Sequence, residues 1–326
     1  MNNDIQLSLT LYSLTEEYVS GKFTLEDCLA KAKEMGYTGI ELVACQMIPE
    51  YPHPSRRWMD TFINLLNKYN LHPVCYSAYI DMGTHSDRDL NEAEIIQSTI
   101  NDLTYAKYMG FDLVRTQHAI SPAVYEKMLP YAQKIGIPLA IEMHHPHNPD
   151  VPVWKEYLKL MAKGGGYLGV VPDFSIFAEN PHVPHMQQAI QEYGCRKEKV
   201  EEIAALHAAG HGEEELLAGD YTEGEKTFIK EVFSIYGTGT ANLEWLDEVL
   251  PYTLYIHGKF WYMGPDEVDH VIPCDKLLPI IKKSGYTGYI ASEYEGHHYT
   301  MYCPELDSCQ QLSRWVHMAD RILDRN

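Results

Sequence analysis

Basic residues are scarce in this chain: 26 Lys and Arg stand against 46 Asp and Glu in 326 residues, a formal net charge of −20. That balance argues against a nucleic-acid backbone or an anionic membrane as partner and suits a neutral ligand or a cation. No run approaches the roughly 18 uninterrupted apolar residues of a membrane helix. The opening residues MNNDIQLSLT lack a basic start followed by an apolar stretch, so a cytoplasmic location is expected. Seven cysteines (Cys28, Cys45, Cys75, Cys195, Cys274, Cys303, Cys309) contain no CxxC pair, and an odd number cannot all pair within one chain. They read as reduced thiols. There is no GxSxG elbow, no P-loop, and no GxGxxG after the first expected strand, which leaves acyl transfer, nucleotide hydrolysis and dinucleotide binding without a motif.

What is present is enough apolar residue, 45%, to bury a sizeable core. The 16 His and 24 Tyr add the imidazole and phenol groups that a site handling metal and hydroxyls recruits. Short β-rich runs alternate with helical patterns of about 10 to 20 residues, the mark of a parallel sheet built from βα units. Helices end at a Gly and a strand follows in MGYTGIELV, MGFDLVRTQ, IGIPLAIEM, GGYLGVVPDF and SGYTGYIASEY. The GYT-G lead-in at 36–39 returns at 285–288, as a repeating architecture would have it.

Eight strands are expected, at 5–9, 39–43, 74–79, 113–116, 139–144, 168–173, 253–257 and 289–293. Helices are expected at 24–35, 55–69, 91–109, 121–135 and 275–284. Strict alternation without a glycine-rich phosphate turn favours an α/β fold of the (β/α)8 TIM-barrel type over an open doubly wound sheet, taken up by residues 1–326 as one domain. Roughly residues 174–252 exceed one crossover and read as a helical insertion between the sixth and seventh strands, a cap over the barrel mouth or a solvated acidic face.

In such a barrel the chemistry lies at the C-terminal ends of the strands. The last four strands end in LAIEMHH, VVPDF, YIHGKF and ASEYEG, which bring Glu142, Asp173, His257 and Glu293 toward one axis. Any one of them alone reads as an ordinary strand-end polar residue. Three carboxylates in one pocket would repel without a cation, and oxygen-rich ligation with one nitrogen suits Mn2+ first, with Mg2+ or Co2+ as alternatives. Strand alternation gives His144 the same face as Glu142, so His144 is the first candidate for a general base that takes a proton from carbon, with His145 in reserve. Glu41, Arg115, His118, Lys259 and Tyr294 are candidates for binding sugar hydroxyls. A buried ion pair is an equal reading for Glu41 and Arg115. Glu295, His297 and His298 read as wall residues or exposed loop, and His207 and His211, four apart, as a weak metal pair or a chance of helix periodicity.

At these strand ends the chain resembles the xylose-isomerase-like superfamily of sugar isomerases and epimerases, whose Glu-Asp-His-Glu set holds a divalent ion. The resemblance covers nearly the whole chain. VRTQHA, IEMHHPH, PDFSIF, IHGKFW and SEYEG look most like the large (α) subunit of bacterial C-glycoside deglycosidases. That resemblance implies a carbon–carbon lyase acting on a 3-oxo-C-glycoside of flavonoid type made by a separate oxidoreductase. It implies a metal at the 3-keto oxygen, removal of the C2 proton by His144 or His145, an enediolate, and loss of the aglycone from C1. It also implies a small β subunit in a hetero-oligomer. The chain departs from the isomerase pattern, which puts a carboxylate or lysine base beside the metal where this sequence has imidazoles. A metal-dependent sugar isomerase or epimerase is the alternative, and a non-catalytic sugar-binding subunit on a retained barrel is a third reading.

Overall fold

A computed structural model describes residues 5–117 and 119–325. Eight strands, β1 (Gln6–Thr10), β2 (Gly39–Val43), β3 (His72–Ser77), β4 (Leu113–Thr116), β5 (Leu139–Met143), β6 (Leu168–Pro172), β7 (Ile256–Phe260) and β8 (Tyr289–Tyr294), form one sheet. All pairings are parallel, in the order β6-β5-β4-β3-β2-β1-β8-β7. Two isolated parallel bridges, Val170 with Thr253 and Asp173 with His257, bring the two ends of that order together. The result is the expected (β/α)8 barrel.

The surrounding helices start and stop where local chemistry directs. Thr24 and Asn91 cap Leu25–Glu34 and Glu92–Met109 through reciprocal boxes with Asp27 and Glu94. Pro122 opens Pro122–Ile135, where a missing N–H costs nothing. Gly110 and Gly136 end two helices at φ of 85° and 79°, a conformation side chains with a Cβ avoid.

Alternation along the strands separates two apolar regions. Val114, Ile141, Val170, Ile256 and Ile290 belong to the large core under the helices. Cys75, Leu113, Ala140, Val171, Tyr255 and Ala291 form a second cluster that fills the lower part of the barrel. Two residues further along the same faces stand Ser77, Arg115, Glu142, Asp173, His257 and Glu293, all buried. The barrel interior is therefore apolar below and charged above, and the charged layer lies at the C-terminal mouth.

Several strand boundaries differ from expectation. β7 begins three residues late, because Leu250–Tyr252 makes a tight turn around Pro251 and the Thr253 amide closes it on Leu250. His257 is thus near the start of its strand. β3 begins early, with Pro73 tolerated in its first residues. β5 and β6 stop one residue short, leaving His144 and Asp173 as the first residues past their strands.

Between β6 and β7 lie five helices, Val183–Gln191, Lys197–Ala208, Glu213–Leu217, Glu223–Tyr236 and Glu244–Val249. The first is pinned to the mouth loops, with His182 stacked on Trp261 at 5.2 Å and edge-on to Tyr299 at 4.7 Å. His207 and His211 do not pair: His207 is buried against the Gly237 carbonyl, and His211 lies past the helix end, bonded to Glu215. No helix among the described residues is long and apolar enough to cross a membrane.

Candidate metal centre

Glu142, Asp173, His257 and Glu293, from four successive strands, each offer one ligand atom within 4.8 Å of the others. Nδ1 of His257 faces the three carboxylates, at 2.9 Å from Glu142, 3.0 Å from Glu293 and 3.6 Å from Asp173. Its other nitrogen, Nε2, lies 2.9 Å from Glu41 Oε2. Carboxylates only accept, so both ring nitrogens donate here; with Nε2–H anchored on Glu41, Nδ1 is the nitrogen that would give up its hydrogen to a metal among the three carboxylates.

The residues fit a divalent ion on two observations. Asp173 Oδ2 and Glu293 Oε2 are buried with no well-formed hydrogen bond, only looser ion-pair contacts to His257 and Lys259 at 3.0 to 3.9 Å, an expensive arrangement that a closer cation would relieve. The charged layer also holds four buried carboxylates, Glu41, Glu142, Asp173 and Glu293, against two buried cations, Arg115 and Lys259. Lys259 is moreover shared with Glu295, and a doubly charged ion would reduce this surplus of negative charge. Ligand atoms about 2.1 Å from a common ion stand at most about 4.2 Å apart, so the set, spanning up to 4.8 Å, would draw in by about 0.6 Å or more to hold one ion.

Arg115 braces the set from below. Its Nε meets Glu41 at 3.1 Å, one terminal nitrogen meets Glu142, and the other meets Ser77 and, at 2.8 Å, the Tyr79 hydroxyl. This is the buried ion pair that was one reading of Glu41 and Arg115, and it keeps both beneath the ligands. Burial opposes the charge on Glu142, but Arg115 and then His257 outweigh it and draw the carboxyl down to about 2. Asp173 is likewise held below the usual carboxylate range: burial works against it, and Lys259, His257 and His144 prevail.

His144 lies beyond the end of β5 with Nδ1 against the carbonyl oxygen of His145. A carbonyl cannot donate, so the hydrogen is on Nδ1 and Nε2 keeps a free lone pair. The His145 backbone amide donates to Ser175 Oγ at 3.2 Å, and burial, then the neighbouring His144, lowers the pKa of its imidazole. Lys259 is buried with Nζ 2.9 Å from Glu295 and 3.6 Å from Glu293. Tyr294 is on the other face of β8 from Glu293, packed against Phe260, because adjacent strand residues point oppositely. His118 lies outside the described residues.

Sequence reasoning passed over Tyr12, Ser77 and Tyr79. Tyr12 and Tyr79 each lie two residues past the end of their strands, after Leu11 and Ala78. A cavity of about 260 Å³ lies beside the centre, between 145–148 and 235–242, with Trp245 and Ile176 in its wall.

A sequence profile of the family described as xylose isomerase-like TIM barrel matches residues 29–317. The chain belongs to that family. Among curated relatives, the 3'-dehydrocarminate deglycosidase alpha subunit of a Microbacterium species is 28% identical across 97% of this chain and 94% of its own length. A C-glycoside deglycosidase alpha subunit of Arthrobacter globiformis is 26% identical across 90% and 85%. Among solved structures, a sugar phosphate isomerase/epimerase from Parabacteroides distasonis superposes with a TM-score of 0.58 at 11% identity, covering 96% of each chain, a likeness of fold. Within this xylose isomerase-like family, a Glu-Asp-His-Glu set at the mouth of a barrel is the feature on which a function can be argued.

Proposed function

We propose that this chain is the catalytic subunit of a C-glycoside deglycosidase, a metal-dependent carbon–carbon lyase acting on 3-oxo-C-glycosides. The observation that carries the reading is His144, with Nδ1 spent on a carbonyl and Nε2 free, one residue beyond β5 and beside a buried four-ligand cluster. The names of the alpha-subunit relatives support the same substrate class. Glu142, Asp173, His257 and Glu293 would hold one divalent ion, for which we propose Mn2+, and when bound it supplies a Lewis acid for a ketone oxygen.

The chain's own groups account for the rest. His144 accepts the proton from C2, next to the ketone carbon, and His145 lines the adjoining cavity, where an aromatic aglycone on C1 would lie. The electrons released at C2 form the C1–C2 double bond as the aglycone leaves. Lys259 and Glu295 at the opposite wall are placed to hold sugar hydroxyls. The inserted helices serve as a cap over the aglycone, the enzyme is cytoplasmic, and it works with a small β subunit in a hetero-oligomer.

A sugar isomerase or epimerase would use the same ligands, and the buried Lys259 beside Glu293 suits it as well. The test incubates the protein with its small partner, Mn2+ and a 3-oxo-C-glucoside, and follows aglycone by chromatography. Release that disappears in Glu142→Gln and in His144→Ala supports the lyase. No release, together with interconversion of simple ketoses, replaces it with the isomerase.

A further inference from the structure

Across the mouth from His144 stands a second set of proton-bearing groups to which the reaction as described gives no proton-transfer role. In a ring ordered β6-β5-β4-β3-β2-β1-β8-β7, β1 and β5 are four places apart and therefore on opposite sides of the axis. Tyr12 follows β1 by two residues, as His144 follows β5 by one. The Tyr12 hydroxyl donates to Glu295 Oε1 at 3.0 Å and lies 2.7 Å from Nε2 of His298. A phenol has one hydrogen, so with that hydrogen on Glu295, His298 Nε2–H donates to the phenol oxygen.

Glu295 is fixed in turn by Lys259, whose ammonium also sits 5.8 Å above the Tyr12 ring. Tyr12 is half-buried at the mouth and His298 is exposed. An unbroken line of hydrogen bonds thus runs from solvent, through His298 and Tyr12, to the buried pair beside the metal ligands. Lys259 Nζ lies 2.9 Å from Glu295 and 3.6 Å from Glu293, which ties this arm to the cluster that His144 adjoins from the β5 side.

The reaction needs a proton where this arm could supply it. When the C2–H bond breaks and the C1–C2 double bond forms, the electron pair of the C1–aglycone bond goes to an aromatic carbon, a leaving group too basic to depart bare. A new C–H bond has to form at that carbon while His144 is occupied with the C2 proton. We propose that Tyr12, backed by Glu295 and His298, donates this proton to the leaving aglycone carbon. The phenol is restored through His298 from solvent, His144 gives its proton back to solvent, and no electrons are gained or lost overall. The inference rests on the lyase reading.

The test compares two substrates in the complete enzyme with its small subunit and Mn2+: a 3-oxo-C-glucoside and the 3-oxo O-glucoside of 4-nitrophenol. Nitrophenolate leaves as a stable anion and needs no acid. In Tyr12→Phe, the ratio of kcat/KM for the C-substrate to that for the O-substrate is expected to fall about 100-fold, and in His298→Gln, an exposed change that spares folding, by a smaller factor. A fall shared equally by both substrates, or an unchanged ratio in both variants, overturns the role of Tyr12 while leaving the lyase intact. A wild-type enzyme that cleaves neither substrate overturns the lyase reading itself.

Discussion

Glu41 is not itself one of the expected ligands, yet its removal should weaken metal binding. Its Oε2 is 2.9 Å from His257 Nε2 and its Oε1 is 3.1 Å from Arg115 Nε, both in full burial. In Glu41→Gln the side chain keeps its shape and loses its charge. The single amide oxygen can accept from His257 or from Arg115, and the amide NH2 then confronts the other donor. If His257 loses its acceptor, the ring is no longer held with Nδ1 toward the carboxylates. If Arg115 loses it, the guanidinium remains tied to Glu142, Ser77 and Tyr79. Loss of such a support behind a ligating histidine typically costs 10- to 100-fold in affinity, about 1.4 to 2.7 kcal/mol. Competition for Mn2+ against a fluorescent chelator measures it directly, with His257→Ala as the reference for loss of a ligand. A Glu41→Gln protein that binds as tightly as the wild type, while His257→Ala does not, would refute the argument that Nε2–H is anchored by Glu41.

Three further outcomes follow from the same structure. Chelation should lower the melting temperature: an ion present at 100 times its dissociation constant adds about 2.7 kcal/mol, and an unchanged melting curve with and without Mn2+ would contradict the metal centre. His144→Ala should lower aglycone release by about 100-fold or more while the chelator competition stays near wild type, and a parallel loss of metal would make His144 a ligand instead. Asp102 is buried on the helix Glu92–Met109 with its carboxyl raised to about 7 by that burial, against a smaller opposing pull from Tyr76. The folded state therefore holds its proton longer than the unfolded chain, so Asp102 weakens the fold increasingly as pH rises from about 4 to about 7 and by a constant amount above. Asp102→Asn should stabilise at pH 8, by up to roughly 4 kcal/mol, and little at pH 4, as read by urea unfolding at both values. Equal effects at the two values would exclude the linkage.

The barrel was legible because its punctuation is local: a glycine that ends a helix and a β-branched run that follows are readable without knowing what either packs against. The clustering of Glu142, Asp173, His257 and Glu293 was legible for a related reason, since strands that all end at one mouth convert four separate sequence positions into one place. What stayed hidden depends on contacts between distant strands. Whether Glu41 and Arg115 meet substrate or each other is decided by which of them shares a layer with Glu142, and that needs the register of β2, β4 and β5. The start of β7 was misplaced because Thr253 and Leu254 look like strand, while the turn at Pro251 holds Thr253 back. Tyr12 was missed because its partners are over 280 residues away.

The thinnest join in the barrel is the one between β6 and β7, where two single bridges stand in for a ladder. One of those bridges pairs Asp173 with His257, so two of the four ligands belong to opposite lips of the seam. An ion bound by both would work as a clasp, adding to the ring a closure that the backbone supplies only sparingly. The five inserted helices leave the barrel at that same seam. Loading the metal and shutting the last gap of the cylinder then become a single event, and amide exchange around Thr253 and Asp173 should slow when the ion arrives.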